Sequence, residues 1–284
     1  MPQPIEIFVA GASKLPDHLC NAYRETFGHA IHEGYGMTEC AGFCTANPLT
    51  RPARAGSGGL PSPLYDVRVV QLDGGNAIVR DCMPNQVGSI IVRGIPIFSG
   101  YTDAKKTAEK FVTDVVDGER WLDSGDLGRF DVDGYLWVTG RAKDLIIRGG
   151  HNIDPLMIEE VLGNYPGIRE AAAVGLPDLR VGELPIAFVE TVQGAVFDPV
   201  AACDYCRDHI AERAAVPTKI IHLEALPRTA MNKVFKPELR RIAAEIAVRN
   251  AVVDLIGEQA RNSIQAHLDE VGAISIHVDE LSIG

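Results

Sequence analysis

Trp121-Leu122-Asp123-Ser124-Gly125-Asp126 is followed by Gly140-Arg141-Ala142-Lys143-Asp144 and then by Arg148-Gly149-Gly150-His151-Asn152-Ile153-Asp154-Pro155. Residues 121–140 read as strands around Asp133-Gly134, a pair that favours the positive φ of a hairpin turn. Beyond Gly140 the pattern changes to a helix over 154–165, strands over 170–175 and 184–191, and a helix over 199–215, which predicts a compact α+β domain. The seam between two domains therefore falls inside the quoted stretch.

Upstream, residues 53–101 carry short β-like runs, Val67-Arg68-Val69-Val70 and Ser89-Ile90-Ile91-Val92, separated by Gly, Pro, Asn and Asp. A small β-barrel or sheet subdomain is expected there, with a helix over 102–111. The start is an apolar run, Ile5-Glu6-Ile7-Phe8-Val9-Ala10, that ends in Gly11-Ala12-Ser13 and gives way to helical spacing over 15–27. A second strand, Ala30-Ile31-His32-Glu33, leads into Gly34-Tyr35-Gly36-Met37-Thr38-Glu39. Downstream, residues 239–266 have a helical period, and Ala273-Ile274-Ser275-Ile276-His277-Val278 reads as a closing strand. No internal repeat or low-complexity tract interrupts the chain.

The 284 residues are 46% hydrophobic and 23% charged, an ordinary globular composition with room for two domains. A formal net charge of -11 leaves no surface-wide positive field, so nucleic acid and anionic membrane surfaces are not expected partners. Cys20, Cys40, Cys44, Cys82, Cys203 and Cys206 do not form the dense framework of a small secreted domain, and a reducing cytoplasm is the expected location. The first residues read as no signal peptide, and no apolar run has the ~20-residue length of a membrane span.

Gly34-Tyr35-Gly36-Met37-Thr38-Glu39 presents an aromatic ring, a hydroxyl and a carboxylate within one glycine-flanked turn. Such a loop can stack a base on Tyr35, hydrogen-bond a phosphate oxygen through Thr38 and hold Mg²⁺ through Glu39. Alone it is equally an ordinary tight turn. The ordered series of this loop, the Asp126 stretch and the Arg141 stretch resembles the adenylate-forming superfamily of acyl-CoA synthetases, luciferase-like enzymes and peptide-synthetase adenylation domains. The resemblance runs from about Glu6 to about Arg241.

That resemblance implies an α/β fold: a partial N-terminal domain, made of a strand-helix piece plus a small β-barrel subdomain, followed by a compact α+β C-terminal domain. The implied divisions are 1–140, the C-terminal part of the large AMP-binding domain; 141–245, a mobile domain; and 246–284, a helical extension with a terminal strand. It also implies that Asp126 accepts both ribose hydroxyls of AMP, a task suited to a carboxylate with two oxygens. Arg141 assists at the ribose or phosphate, and Gly11, Ala12 and Ser13 run along adenine. Tyr35, Gly36 and Thr38 complete the nucleotide contacts, with Glu39 on Mg²⁺. Leu226-Pro227-Arg228-Thr229-Ala230-Met231-Asn232-Lys233-Val234-Phe235-Lys236 resembles the family's final motif, which places Lys233 on the α-phosphate and the attacking carboxylate. Lys233, Thr38 and Glu39 are thus the expected catalytic residues. A cation there stabilises the negative charge that accumulates as carboxylate oxygen attacks phosphorus. Asn232 replaces the usual glycine, and asparagine tolerates the left-handed backbone better than most residues.

Lys143 stands where the family hinges, and Arg148, Gly149 and Gly150 form the loop of the thiol channel. The implied reaction is that of an acid-thiol ligase: a carboxylate, fatty or aromatic, and ATP give acyl-AMP and pyrophosphate, and coenzyme A then displaces AMP. Coenzyme A is preferred to a carrier-protein thiol because the tail after Arg241 resembles the longer C-termini of some fatty-acyl-CoA synthetases. The family's Ser/Thr/Gly-rich loop ending in Lys-Gly has no counterpart between Met1 and Ala30, nor is there a Gly-x-x-x-x-Gly-Lys-Ser/Thr motif elsewhere. The expectation is a truncated or split synthetase with a separate N-terminal half. The alternative is a non-catalytic module that binds AMP or acyl-adenylate.

Other reactive side chains read as structural. Cys203 and Cys206 form one isolated pair inside a predicted helix, without the second pair of a zinc site. Cys40 and Cys44 are treated alike. His32 is read as a strand-end residue, and His151 as a loop residue near the thiol channel.

Overall fold

The computed structural model describes residues 7–12, 15, 17–74, 76–113, 120–256, 264–268 and 274–278. The chain divides into two compact units, residues 1–143 and 144–284, so the boundary falls directly after Lys143.

The first unit contains two sheets. One has the order β1 (Phe8–Ala10), β2 (Ile31–Met37), β3 (Gly42–Ala46) and β4 (Leu60–Pro61). β1 and β2 are parallel, and α1 (Asp17–Phe27) is the crossover that parallel neighbours require. Phe8 meets Tyr23 edge-on at 5.3 Å between ring centroids and lies 5.7 Å from Phe27, so α1 covers the Phe8 face of the sheet. Side chains alternate along a strand, and Val9 therefore points to the other face, where it is 58% exposed.

The second sheet contains β5 (Tyr65–Leu72), β6 (Ile78–Asp81), β7 (Gly88–Gly94), β8 (Leu122–Phe130) and β9 (Leu136–Arg141), antiparallel in the order β6-β5-β7-β8-β9. Its strands are apolar on both faces. Val69, Ile90, Val92, Leu122 and Leu136 pack with Cys40, from the turn after β2, and Cys44 of β3, while Val70 and Ile91 pack with Val112 and Trp121 behind. Each fully buried Leu or Ile in these layers contributes roughly 1.5–3 kcal/mol.

The expected small barrel is not closed. Closure would pair β9 with β6, but the outer edge of β9 is already occupied. Gly58 N donates to Leu136 O at 2.8 Å, and Leu136 N donates to Gly59 O at 2.8 Å. The helix expected over 102–111 is also shorter. Asp103 caps α2 (Ala104–Glu109) by accepting from Lys105 N and Lys106 N, and Phe111 leaves to bridge Leu122.

The second unit is a five-stranded sheet between helices. β10 (Ile146–Arg148), β11 (His151–Ile153), β12 (Ile168–Asp178), β13 (Gly182–Thr191) and β14 (Lys219–His222) carry α3 (Pro155–Gly163) and α4 (Pro199–His209) on one face and α5 (Lys236–Ile256) on the other. Period-two alternation divides the strands between the layers. Ala173, Ala187 and Val189 face Ile158, Leu162, Ala202 and Cys206, whereas Ala172, Val174, Ile186 and Phe188 face Leu239 and Ala243. With both faces covered, these strands read as nearly continuous apolar runs. Asp154 and Asp198 cap α3 and α4, and a proline at the first turn helps to start each helix.

Two helix boundaries differ from expectation. α4 stops at His209, and Arg213–Ala215 forms a separate 3₁₀ turn. α5 runs unbroken from Lys236 to Ile256, across position 246, but does not reach Ala266. Instead β15 (Ile264–Leu268) pairs antiparallel with β16 (Ile274–Val278). Ile264-Gln265-Ala266-His267-Leu268 alternates apolar and polar residues, a strand period that the helical reading ran through.

Candidate active site

The hairpin of β8 and β9 sets Asp126 directly opposite Arg141. Asp126 is nearly enclosed, with 12% of its side chain exposed, while Arg141 reaches over it from solvent with Nε 3.2 Å from Oδ1. From β2, Tyr35 Oη donates to Asp126 Oδ2 at 2.7 Å. Ser124 fixes the bend by donating through Oγ to Ile90 O at 2.7 Å and accepting from Asp126 N at 3.0 Å. Lys110 Nζ donates to Ser124 O at 2.9 Å, which holds a further cation near the carboxylate.

Burial pushes the Asp126 carboxyl above its usual range, against the opposing pull of the Tyr35 hydroxyl, Arg141 and Lys110. Burial, and then the neighbouring Asp126 charge, push the Tyr35 phenol far up, so Tyr35 remains a hydrogen-bond donor. An ionised carboxylate has about four acceptor positions, of which Tyr35 and Arg141 take two. Asp126 therefore retains capacity for the two hydroxyls of a ribose.

β2 ends at Met37, and Thr38–Cys40 forms a 3₁₀ turn closed by Ala41 N donating to Thr38 O at 2.9 Å. Thr38 is exposed. Burial works against the Glu39 charge, but a hydrogen bond from Tyr101 Oη, the residue's own backbone, Lys110 and Arg141 together hold its carboxyl below the usual range. Tyr101 is pushed up to about 12 by burial and by Glu39. Among the described residues no group of three or more His, Cys, Asp or Glu side chains gathers to hold a metal. Glu39, ionised and partly open, fits the pattern in which Mg²⁺ takes one or two carboxylates and completes its shell with phosphate and water.

Gly11 and Ala12 follow the carboxyl end of β1, with Ala12 at φ 72°; Ser13 lies outside the described residues. His32 sits within β2, and its Nδ1 is buried without a hydrogen-bond partner among the described residues. A cleft of about 530 Å³ in this unit is lined by Tyr65, Arg93, Ile97, Phe98, Phe111 and Arg120 among others, and by none of the residues expected at the site.

Lys233 belongs to the second unit. It stands on an exposed loop whose Thr229 N donates to Lys233 O at 2.8 Å and whose Thr229 Oγ1 accepts from Lys233 N at 3.2 Å. Asn232 has φ 60°, the left-handed conformation foreseen for it. Arg148, Gly149 and Gly150 are also in this unit. Gly149 at φ 56° and Gly150 at φ 86° form the two-residue turn that joins β10 to β11, a geometry that favours glycine at both positions. Arg148 Nη1 donates to Ala214 O at 2.7 Å, and Arg148 lines a cleft of about 380 Å³ with Cys203, Arg207, Arg213 and Thr218. Burial raises the Cys203 thiol and pushes Cys206 up to about 12, so both remain protonated within or beside the α4 core.

The structure thus gathers Tyr35, Thr38, Glu39, Asp126 and Arg141 in one unit and places Lys233 and the 148–150 turn in the other. Ser124 lies within the quoted Asp126 stretch, but Lys110 and Tyr101 were not foreseen. Each reaches the site through a contact distant in sequence, and no local motif marks it.

Residues 1–102 match the AMP-binding enzyme family, and residues 157–233 match the AMP-binding enzyme C-terminal domain. Among curated relatives, the marinolic acid–CoA ligase of a Pseudoalteromonas species is 38% identical over 275 residues, 96% of this chain and 39% of that protein. The indoleacetate–CoA ligase of Aromatoleum aromaticum is 34% identical over 84% of this chain and 45% of its own length. The crystal structure of ATP-bound MatB from Rhodopseudomonas palustris superposes with a TM-score of 0.76 at 32% identity, covering 85% of this chain and 46% of that one. The chain thus spans less than half the length of each of these three proteins.

Proposed function

The chain belongs to the adenylate-forming superfamily and is of the acyl-CoA synthetase type, and from that premise we propose that it supplies the AMP end of an acid-thiol ligase site. In the first half-reaction a carboxylate oxygen attacks the α-phosphorus of ATP, and pyrophosphate leaves. In the second, the sulfur of coenzyme A attacks the acyl carbon of acyl-AMP, and AMP leaves. The observation that supports this reading best is the enclosed Asp126, held between Tyr35 and Arg141 with acceptor capacity to spare.

Asp126 binds both ribose hydroxyls, Arg141 neutralises charge at the ribose-phosphate junction, and the backbone of Gly11, Ala12 and Ser13 lies along adenine beside Tyr35 and Gly36. Thr38 donates to a phosphate oxygen. Glu39 would hold Mg²⁺ together with the nucleotide's own phosphates, and the ion supplies neutralisation of phosphate charge. Lys233 places its ammonium where charge builds on the attacked phosphate. Lys143 is the hinge of the mobile domain, 141–245, whose turning exchanges Lys233 for the Arg148-Gly149-Gly150 turn between half-reactions. The arginines around Arg148 suit the phosphates of coenzyme A, which supports that thiol over a carrier protein.

Calorimetric titration with AMP tests the nucleotide site: binding by the wild type that is lost in Asp126→Ala supports it, and equal heats in both proteins would overturn it. A second reading is a non-catalytic module that binds AMP or acyl-adenylate, which needs only the ribose end formed by Asp126, Tyr35 and Arg141. Synthetic acyl-AMP incubated with coenzyme A separates the two. Acyl-CoA above the uncatalysed background favours the ligase, and none favours the binding module.

A further inference from the structure

The cleft of about 530 Å³ in the first unit shares no lining residue with the candidate active site, and its walls divide by chemistry. Tyr65, Ile97 and Phe98 line it from the apolar cluster that also holds Cys40 and Cys44, and the exposed Leu64 and Ile95 stand at its rim. Arg93 and Arg120 supply its cations. Arg93 is already matched, since its Nε donates to Asp66 Oδ2 at 2.8 Å. Arg120 meets no carboxylate among the described residues. Its Nη1 donates to Ser99 O at the long distance of 3.4 Å, and its guanidinium carbon lies 3.7 Å from the centroid of the Phe111 ring. The ring seats the guanidinium, and most of its N–H donors stay open beside an apolar wall.

Charge and volume narrow the ligand. The two guanidiniums and the Asp66 carboxylate leave one positive charge to balance. A carboxylate matches both that charge and the planar fork of an arginine, whereas a phosphate dianion would stay half-compensated beside Asp66. The apolar lining calls for a hydrocarbon body, and the rings of Tyr65, Phe98 and Phe111 favour an aromatic one. The volume is that of an ordinary small-molecule site.

We propose that this cleft is a second ligand site, which takes an aromatic carboxylate with its charge on Arg120 and its ring against Tyr65 and Phe98. The same walls hold the turn at Glu39 and Cys40 from behind. Tyr65 Oη donates to Cys40 O at 2.5 Å, Phe98 N donates to Glu39 O at 2.9 Å, and the Phe98 ring meets Tyr101 edge-on at 4.8 Å. Tyr101 in turn donates to the Glu39 carboxylate. An occupant therefore bears on the groups that set Glu39, and its binding is coupled to that of AMP at the proposed nucleotide site.

Calorimetric titration of the full chain with 2-naphthoate tests the site, with 2-naphthamide as the uncharged counterpart and 2-naphthyl phosphate as the dianion. The amide should bind more weakly than the acid by ~10-fold or more, the scale of a hydrogen bond to a charged group. Arg120→Gln should weaken 2-naphthoate by the same factor, and Leu64→Trp, which fills the cleft from its rim, should abolish its binding. Both residues are exposed, so neither change empties the core. No binding of 2-naphthoate, or binding that both variants leave unchanged, would overturn the site. Tighter binding of the phosphate than of the acid would overturn the ligand class. With 2-naphthoate at saturation, the AMP affinity of the wild type should shift by ~5-fold or more, and the shift should vanish in Leu64→Trp. No shift, or one that persists in Leu64→Trp, would overturn the coupling. If AMP binding proves independent of Asp126, the coupling falls with the nucleotide reading, and the cleft is judged on 2-naphthoate alone.

Discussion

The proposed ribose end of the first unit and the lysine loop of the second are built in opposite ways. Asp126 is enclosed, bonded to Tyr35 and Arg141, and its backbone is pinned by Ser124. Lys233 shares an exposed loop with Met231, which is 82% exposed, and that loop is closed mainly by short-range contacts with Thr229. A group that binds the nucleotide through every step gains from being fixed in advance, because little ordering remains to oppose binding. A group needed only while charge builds on phosphorus gains from being able to arrive and leave. In the proposed cycle, the difference in burial separates ground-state binding from transition-state stabilisation.

The largest expected effect is at the fixed end. Asp126→Ala removes the charged group proposed to accept two ribose hydroxyls, each such hydrogen bond contributing ~1.5–3 kcal/mol. AMP affinity measured by calorimetry should fall by ~100-fold or more. A loss of only a few fold would mean that Asp126 is a structural turn residue and that the comparison misplaces the ribose.

Tyr35→Phe comes next, because it removes one bond to the same carboxylate and leaves the ring. AMP affinity at neutral pH should fall by ~10-fold, the scale of one hydrogen bond to a charged group. Its pH dependence sharpens the test. Ribose binding needs the ionised carboxylate, so affinity is present above the Asp126 pKa and disappears as pH falls through it. Burial already places that pKa above the ordinary aspartate value of 3.8, and the Tyr35 hydroxyl pulls it down. The acid limb of AMP binding should therefore lie above the ordinary aspartate range in the wild type and higher still in Tyr35→Phe. A limb that stays in place would show that the two side chains are uncoupled.

Arg141→Ala should have a smaller effect. Its side chain is 70% exposed, and ion pairs screened by solvent contribute ~0.2–1 kcal/mol. AMP affinity should fall by no more than ~5-fold, with added salt erasing part of the difference. The acid limb should again move upward, since Arg141 also lowers the Asp126 pKa. A large, salt-insensitive loss would place Arg141 among the buried groups.

Much of this contrast is legible in the sequence, but unevenly. Asp154-Pro155 and Asp198-Pro199 mark helix starts because cap and first-turn chemistry is local, and Asn232 signals its left-handed turn for the same reason. The hairpin at Asp133-Gly134 is equally local, with Gly134 at φ 82°. The failure of the second sheet to close could not be read, because it depends on Gly58 and Gly59 meeting Leu136 from far along the chain. Lys110 and Tyr101 were missed for a similar reason: Tyr101 reaches Glu39 across 62 positions. Phe43 is the sharpest case. Its sequence neighbours give no hint that its ring covers Gly11 and Gly34, since only the ladder between β2 and β3 brings them together.

The smallest expected effect lies at the lysine loop. Lys233→Ala should leave AMP affinity within ~2-fold of wild type, the margin usual for surface substitutions away from buried features. The side chain is exposed, and its loop is held by backbone contacts at Thr229 that alanine preserves. Removing Asp126, in contrast, strips the pocket of the group on which Tyr35 and Arg141 converge. Calorimetry of both variants under one set of conditions compares the two ends directly. Equal losses would mean that Lys233 helps to hold AMP in the ground state, which would remove the reason for carrying it on an exposed loop. Near-neutral behaviour would agree with Lys233 acting where a cation has most effect, on charge that exists only during the attack on phosphorus.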